Sequence, residues 1–383
     1  MEPITQLTAD DFEETMDFLN LVFSVHGPHD FARLLPKLYQ PTDQAMQHNY
    51  AIKKNGRIRA IVGIFPMILN IGGKPLKLAG IGGVSVHPSE RRAGHMKRLM
   101  THCLQEIKRQ DFQLSWLDGQ RQRYGYFGYE LSGQVYHFQV DKTNIRHCYS
   151  ELPEIQFESL KTDKRDVISK IKSWHDSGPI FCARPVDHFF SIARSWHHEL
   201  YTAKDSASEL LGYVIADIKA GRVLEIGAES EDHLRDLIPA WVNFQDRQSV
   251  VFETPPLSNS LTRELGGICE RAAIHPSGNW RIFDWKNVME AALRLKQLHE
   301  PLMTGILDLA VPSYGLLKIQ VTDSGISCFA SKDKPENTLA LLSFTRKMFG
   351  PLPSTMADND SQNINLLRCW LPLPLYLPRQ DQV

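Results

Sequence analysis

The residues from Val86 to Met96, which read VHPSERRAGHM, have the types and spacing of a phosphate-binding site. Arg91 and Arg92 bring positive charge beside Gly94, where the backbone can approach a ligand closely. A helix predicted to begin directly afterwards leaves its first backbone N–H groups without partners in the chain, and such a helix start binds phosphate. This chemistry fits a pyrophosphate, and a basic surface turn is the alternative.

A second motif, YGYFGY at residues 124–129, lies downstream of the basic turn. Taken alone, Tyr124 reads as an aromatic residue packed on a turn.

The basic turn resembles the acetyl-CoA-binding motif of the GNAT superfamily of acyltransferases, whose pattern is V-x-P-x-x-[RQ]-x-x-G-x-[GA]. The matching residues are Val86, Pro88, Arg91 and Gly94. The sequence departs from the pattern at Met96, where a small residue is usual, and at His95, which is usually aliphatic.

The downstream motif resembles the GNAT element Y-x-x-x-G-[FY], which Tyr124, Gly128 and Tyr129 fit. In that superfamily the first tyrosine donates a proton to the departing CoA thiolate, so the resemblance implies this role for Tyr124. The YGxFGY form, the length of 383 residues and the arrangement of predicted elements are similar to the Eis-like (enhanced intracellular survival) branch.

That resemblance implies an α/β (α+β) fold in three domains. A GNAT acetyl-CoA-binding catalytic domain would span residues 1–141, and a degenerate GNAT-like domain 142–283. A sterol-carrier-protein-like α+β domain would span 284–383. It also implies a homo-oligomer, with a hexamer as one form.

The resemblance further implies the residues that bind acetyl-CoA as co-substrate. The backbone that would hold the pantetheine arm is that of Val84, Ser85 and Val86. The pyrophosphate would lie on Arg91, Arg92, Ala93, Gly94, His95 and Met96. The mouth beside the acetyl group would be formed by Gly119 and Gln120. In the central domain, the corresponding segment Val223–Asp232 is followed by acidic residues and has no arginine–glycine phosphate turn, so we do not expect it to bind CoA.

The general base is the least determined part of the site. In the best-known branch of the family a free C-terminal carboxylate on a short tail takes this role, which implies Val383 here. The strand from Gly80 to Val86 carries no Asp or Glu. His26 and a chain of water molecules are the alternatives, and His26 also reads as an ordinary loop residue beside Gly27.

Composition excludes several classes of partner and site. Lys and Arg total 43 against 44 Asp and Glu, so there is no general electrostatic attraction to nucleic acid or to an anionic membrane. The six cysteines form no CxxC pair and no His cluster accompanies them, which argues against a zinc site. An acidic N-terminus without an apolar stretch and the absence of a long apolar run predict a cytoplasmic protein.

The elements that must position these residues follow from periodicity. Apolar residues at helical spacing predict helices over 10–23 and 95–109. Strands are predicted over 57–65, 76–86, 112–117 and 135–140, all in the first unit. The middle of the chain repeats this order, and the last unit, from about residue 284, contains three closely spaced strands between 305 and 330.

We therefore expect an N-acetyltransferase that moves an acetyl group from acetyl-CoA to a primary amine on a small molecule or a lysine. The amine attacks the thioester directly, with Tyr124 as general acid and no metal. The alternative is a catalytically inactive module that binds CoA or lipid. The basic turn argues against a purely structural scaffold.

Overall fold

The computed structural model describes residues 2–24, 27, 29–331, 339–352 and 361–383, with no side chains given for 361–363. The first part of the chain forms β1 (Ile4–Gln6), α1 (Phe12–Phe23), α2 (Phe31–Leu34), α3 (Asp43–Met46), β2 (Asn49–Lys54), β3 (Arg57–Ile71), β4 (Lys74–Val86), α4 (His95–Arg109), β5 (Leu114–Leu117), α5 (Arg121–Gly125), β6 (Glu130–Ser132) and β7 (Val135–Asp141).

The middle of the chain forms α6 (Lys142–Cys148), β8 (Gln156–Ser159), α7 (Arg165–Asp176), β9 (Ile180–Cys182), α8 (Val186–Ala193), β10 (Glu199–Lys204), β11 (Leu210–Asp217), β12 (Arg222–Ala228), α9 (Glu231–Phe244), β13 (Ser249–Thr254), α10 (Ser260–Ile268), β14 (Arg271–His275) and β15 (Gly278–Ile282). The last part forms α11 (Trp285–His299), β16 (Gly305–Val311), β17 (Gly315–Thr322), β18 (Gly325–Ser331), α12 (Leu341–Phe349) and α13 (Ser361–Trp370).

The strands form three sheets, as expected of a mixed α/β chain. The first has the order β1-β2-β3-β4-β5-β15-β6, with β9 paired to the far end of β3. The second has the order β14-β7-β13-β12-β11-β10-β8, and the third is the meander β16-β17-β18. The first two sheets contain both parallel and antiparallel pairs, because β4 runs parallel to β5 and β12 runs parallel to β13.

The first two units exchange strands, which the sequence did not predict. The strand predicted over 135–140 was assigned to the first unit, but β7 pairs with β13 and β14 in the second sheet. In return β15, from the end of the middle region, lies between β5 and β6 in the first sheet. The placement in the first sheet was therefore wrong for 135–140. The division at 141 and 283 stays a prediction, as does the likeness of the last unit to sterol carrier protein.

Helix α4 covers one face of the first sheet because its apolar residues recur every three or four positions. Leu99, Met100, Cys103 and Ile107 are all fully buried, and they pack with Ile52 and other residues of β2 to β5. Helices α1 and α2 cover the opposite face, where Leu19 and Phe31 pack with Phe65. The sheet is therefore a fixed layer between two apolar cores.

The last residues of the chain run through the middle of the molecule. The segment from Leu371 to Leu377 is buried in the core that joins the third sheet to the first sheet. Beyond it, the carboxylate of Asp381 accepts two hydrogen bonds from Arg184, at 3.1 and 2.7 Å. The same guanidinium donates to Glu225 of β12 at 3.2 and 2.8 Å. The tail is thereby tied to the second unit.

The described residues contain neither a membrane-spanning helix nor a metal-binding cluster. None of the helices there is long and apolar enough to cross a membrane. In the same part of the chain, no group of three or more His, Cys, Asp or Glu side chains is placed to hold a metal ion.

The buried guanidinium of Arg184 generates a stability prediction. The substitution Arg184→Met leaves Glu225 and Asp381 buried without their cation, and we expect it to lower the free energy of unfolding by about 3–5 kcal/mol. Urea denaturation followed by circular dichroism measures this value. Arg165→Met, which breaks the exposed pair with Asp187, is the control and should cost less than about 1 kcal/mol. Equal losses in the two variants would contradict this assignment.

Candidate active site

The basic turn before α4 has the backbone of an anion-binding site. Gly94 precedes the helix with φ 79° and ψ 7°, in the left-handed region, and Arg92 has φ 72°. An added Cβ on Gly94 would meet no atom within 4 Å, so the backbone here is open on its outer side. The first N–H groups of α4, those of His95 to Lys97, lie beyond the reach of any intrahelical carbonyl. They carry the positive end of the helix dipole.

Strands β4 and β5 part from each other beside this turn. They pair in parallel from Leu78 to Gly80 and from Leu114 to Trp116. Beyond that point β4 continues to Val86, whereas β5 ends at Leu117. The edge of β4 that faces β5 is therefore open over its last residues. An extended ligand can add to such an edge through backbone hydrogen bonds.

A β-bulge lies on this open part of β4. Gly82 pairs with Gly63, and Ser85 pairs with Ile61, so two residues of β4 oppose one residue of β3. One of the two is Gly83, which has φ 61°. An added Cβ on Gly83 would lie 2.9 Å from the hydroxyl of Tyr39. A buried phenol from the α2–α3 connection thus lies beside the bulge.

A cleft of about 990 Å³ joins the open strand to the basic turn. Most of the predicted cofactor residues line it, namely Val84, Ser85, Val86, Arg91, Arg92, Gly94, His95 and Met96. Ala93 belongs to the same turn, where its N–H donates to the carbonyl of Glu90 at 3.3 Å. The cleft therefore brings the two halves of the predicted cofactor site together.

Charge in the cleft is positive although it contains one carboxylate. Glu90 lies 3.0 Å from the ammonium of Lys54 and 3.6 Å from Nε2 of His95. The hydrogen bond from Lys54 holds the pKa of Glu90 below its usual value. Arg91 and Arg92 are exposed. The turn can therefore offer two guanidinium groups to a phosphate while Glu90 is neutralised by its neighbour.

Tyr124 lies in α5, directly after the end of β5. It packs in the core formed by α4 and the first sheet, and burial raises the pKa of its phenol. Gly119 is adjacent, since an added Cβ there would lie 2.6 Å from the Tyr124 ring. Gln120 occupies the N-cap position of α5 without a side-chain capping hydrogen bond. Tyr124, Gly119 and Gln120 are not among the described residues that line the cleft of the basic turn, but they lie at the same end of the sheet.

Val383 lies against the other side of β4. An added Cβ on Gly80 would lie 2.7 Å from a methyl group of Val383, and one on Gly82 would lie 3.1 Å from its carbonyl carbon. Lys37 holds the preceding residues in place, donating hydrogen bonds to the carbonyls of Gln380 and Gln382. Val383 therefore reaches the strand that carries the bulge. His26 lies outside the described residues.

Sequence reasoning missed several residues of this region. The described lining of the cleft also includes Val22, Phe23, Lys97, Arg123, Tyr126 and Phe127. The last three belong to the YGYFGY region, whose aromatic residues were an available sequence signal. In the structure Tyr126 is 90% exposed. Val22 carried no signal, because its spacing is that of an ordinary core residue. The sequence of Phe23 and Tyr39 fits an apolar wall for an acceptor as well as ordinary core packing.

The second sheet lacks an equivalent turn. Helix α9 follows β12, but the hydroxyl of Ser230 caps it by accepting from the N–H of His233 at 3.1 Å. Glu231 and Asp232 occupy its first turn. The start of this helix is therefore occupied by its own acceptors and acidic side chains, which disfavour an anionic ligand.

Comparison with known proteins shows what the fold and the site are similar to. Residues 3–132 match the family model of an acetyltransferase (GNAT) domain. A search of curated protein sequences finds no match. Among solved structures, a GCN5-related N-acetyltransferase from Anabaena variabilis has 17% identity and a TM-score of 0.70, with 100% of both chains covered.

Two further structures are similar over 100% of both chains. One is a protein of unknown function from Enterococcus faecalis, described as a probable N-acyltransferase, with 14% identity and a TM-score of 0.69. The other is Eis1 from Mycobacterium abscessus, with 12% identity and a TM-score of 0.67. At these identities the likeness is one of fold, and it extends over the whole chain.

The left-handed Gly94 gives a direct test of the cleft. We expect Gly94→Glu to weaken CoA binding at least about tenfold, because it places a carboxylate beside the phosphate turn and a side chain at a positive φ. Isothermal titration calorimetry with CoA measures the effect. Gly94→Asn is the matched control, since Asn tolerates this backbone conformation and is neutral, and it should bind more tightly than the Glu variant. Unchanged CoA affinity in Gly94→Glu would remove the turn from the cofactor site.

Proposed function

We propose that this chain, whose residues 3–132 are a GNAT acetyltransferase domain, is an N-acetyltransferase that moves the acetyl group of acetyl-CoA to a primary amine. The observation that carries the proposal is the position of β4. Its open, bulged end faces the phosphate-binding turn, and its glycine face contacts Val383. One strand therefore connects the proposed cofactor site to a group able to accept a proton.

The reaction we propose has one chemical step without a covalent enzyme intermediate. The lone pair of the neutral amine attacks the thioester carbonyl carbon, so that an N–C bond forms and the C–S bond breaks. The CoA thiolate takes a proton from the phenol of Tyr124. The nitrogen loses a proton to the carboxylate of Val383, and the product is an amide. The resulting phenolate and carboxylic acid exchange protons with water to restore the enzyme.

The backbone of β4 supports this step in two ways. The open edge between Ile81 and Val86 offers N–H and C=O groups to the pantetheine amides, which fixes the thioester in position. N–H groups at the bulge around Gly83 can donate to the carbonyl oxygen as negative charge develops there. Both contributions come from backbone groups held by the pairing of β4 with β3.

Tyr124 supports the proposal through its protonation state. Burial raises the pKa of the phenol above its usual value of about 10. Since the raised pKa favours the neutral form, Tyr124 keeps its proton throughout the physiological range. The alkaline limb of a pH profile that reports Tyr124 should therefore lie above pH 10.

Val383 is the base that we propose over His26 and a chain of water molecules. Its place against Gly80 and Gly82 supports this choice, and so does the attachment of the tail to Lys37 and Arg184. The other predictions about the whole protein, a cytoplasmic homo-oligomer with a sterol-carrier-like last unit, stay predictions.

The experiment that tests the proposed function is thiol release from acetyl-CoA in the presence of primary amines. We expect release that depends on both acetyl-CoA and the amine, with one amide formed for each thiol. Binding of CoA without thiol release for any amine would instead favour the inactive binding module.

Removal of the Tyr124 hydroxyl tests the general acid. We expect Tyr124→Phe to lower kcat about 100-fold, the size typical of a lost general acid, with little change in the Kd of acetyl-CoA. Tyr201→Phe, which removes a hydroxyl from the second sheet that bonds Glu199, is the control for general effects of losing a phenol. A kcat for Tyr124→Phe equal to that of the control would remove Tyr124 from the mechanism.

Moving the terminal carboxylate tests the base. We expect two glycines added after Val383 to lower kcat/KM at neutral pH by roughly tenfold or more, because an amide then replaces the carboxylate beside β4. Val383→Ala keeps the carboxylate and measures the loss of the isopropyl contacts alone. The extended chain should be less active than Val383→Ala, and equal or higher activity of the extended chain would exclude the terminal carboxylate as base.

A further inference from the structure

A second cavity, of about 260 Å³, lies on the Val383 side of β4. It is enclosed by the α2–α3 connection, by the middle of β3 and by the segment from Cys182 through α8. Val383 forms part of its wall. Because Val383 also contacts Gly80 and Gly82, this cavity lies next to the strand whose last residues, Val84 to Val86, line the cofactor cleft.

The walls of this cavity are mixed, with more apolar than polar surface. Leu38, Phe65, Met67 and Ile192 contribute aliphatic and aromatic surface. The neutral polar side chains in the lining are those of Gln40, Thr42 and Gln44. The apolar part of a pocket of this small size suits the body of a small organic molecule.

Acidic groups in this cavity are already paired. Among the described residues that line it, Asp381 is the sole side-chain carboxylate. That carboxylate is 4% exposed and accepts two hydrogen bonds from Arg184. Apart from the terminus of Val383, the described lining therefore offers no carboxylate to an ammonium group of a ligand.

Basic groups in the same wall oppose a second positive charge. Lys37 lines the cavity and donates to the carbonyls of Gln380 and Gln382. Burial lowers the pKa of Lys37 to about 7, against the opposing effect of Asp381. His48 and His188 also line this wall, and burial lowers the pKa of His48. An ammonium buried here without an anionic partner would be costly.

We propose that the second cavity binds the acceptor of the acetyl group, and that this acceptor is a compact monoamine with an apolar body rather than a polycationic amine. This inference rests on the proposed function. The one reacting amine meets the Val383 carboxylate, and the apolar walls take the rest of the molecule. Acceptors with several ammonium groups, such as polyamines and aminoglycosides, find no counter-charge for their additional ammonium groups on the described lining of this cavity.

Two amines that differ in a single ammonium group test the proposal. We expect kcat/KM for hexylamine to exceed that for 1,6-diaminohexane by roughly tenfold or more, after correction for the two equivalent amines of the diamine. Spermidine should be poorer still. The measurement is thiol release from acetyl-CoA by the full chain, with amide formation verified by mass spectrometry.

A carboxylate placed in the cavity wall should change this preference. Gln44 is exposed and lines the cavity, so Gln44→Glu adds a negative charge with little change in shape. We expect it to raise relative activity toward the diamine severalfold. Gln47→Glu is the matched control, since Gln47 is exposed three residues away and does not line the cavity, and it should leave the ratio unchanged.

The outcomes separate this inference from the proposed function. Turnover of both amines with the diamine equal or preferred would overturn the monoamine assignment and leave acetyl transfer intact. An equal shift of the ratio in Gln44→Glu and Gln47→Glu would show that the second cavity does not hold the acceptor. No thiol release with any of the three amines, while acetyl-CoA still binds, would overturn the proposed function and this inference together.

Discussion

The buried guanidinium of Arg184 is the group on which the position of the C-terminal tail depends. It has no exposed side-chain surface and binds Glu225 of β12 and Asp381 of the tail. Burial alone would raise the pKa of Glu225, but Arg184 and His175 hold it well below its usual value. Since burying these charges is costly, the contribution of such a cluster is often to specify one arrangement rather than to add stability. Here the specified arrangement brings Val383 to β4.

Strand β4 organises the chemistry around that fixed tail. Towards β5 its edge is open and leads to the turn at Gly94, where the charge is positive. On the side that faces α2 and α3, its glycines leave room for Val383 and for the hydroxyl of Tyr39. An added Cβ on these glycines would lie only 2.7 to 3.1 Å from the neighbouring atoms. The same strand therefore separates a cleft suited to an extended anionic cofactor from a small cavity of mixed lining. The bulge lies between Gly82, which contacts Val383, and Ser85, which lines the cleft.

The sequence predicted the local elements well and their assembly less well. Helix α4 was predicted with its observed bounds, because its apolar residues and the preceding glycine are both local signals. The exchange of β7 and β15 was missed, since nothing in the sequence of a short strand specifies its sheet. Lys37 and Arg184 were missed for a similar reason: their partners in the tail lie 345 and 197 residues away. The basic turn before α4 was predictable because one continuous motif forms it, whereas the cavity beside Val383 is built from three distant segments.

We propose that β4 carries the cofactor thiol on one side and the terminal carboxylate on the other. A crystal structure of the full chain with CoA bound tests this arrangement. We expect the pyrophosphate at the amides of His95 to Lys97, the pantetheine along Ile81 to Val86, and the sulfur beside the bulge at Gly83, with Val383 still against Gly82. A CoA molecule bound elsewhere, or a tail displaced from β4 in the complex, would contradict this arrangement of cofactor and carboxylate around β4.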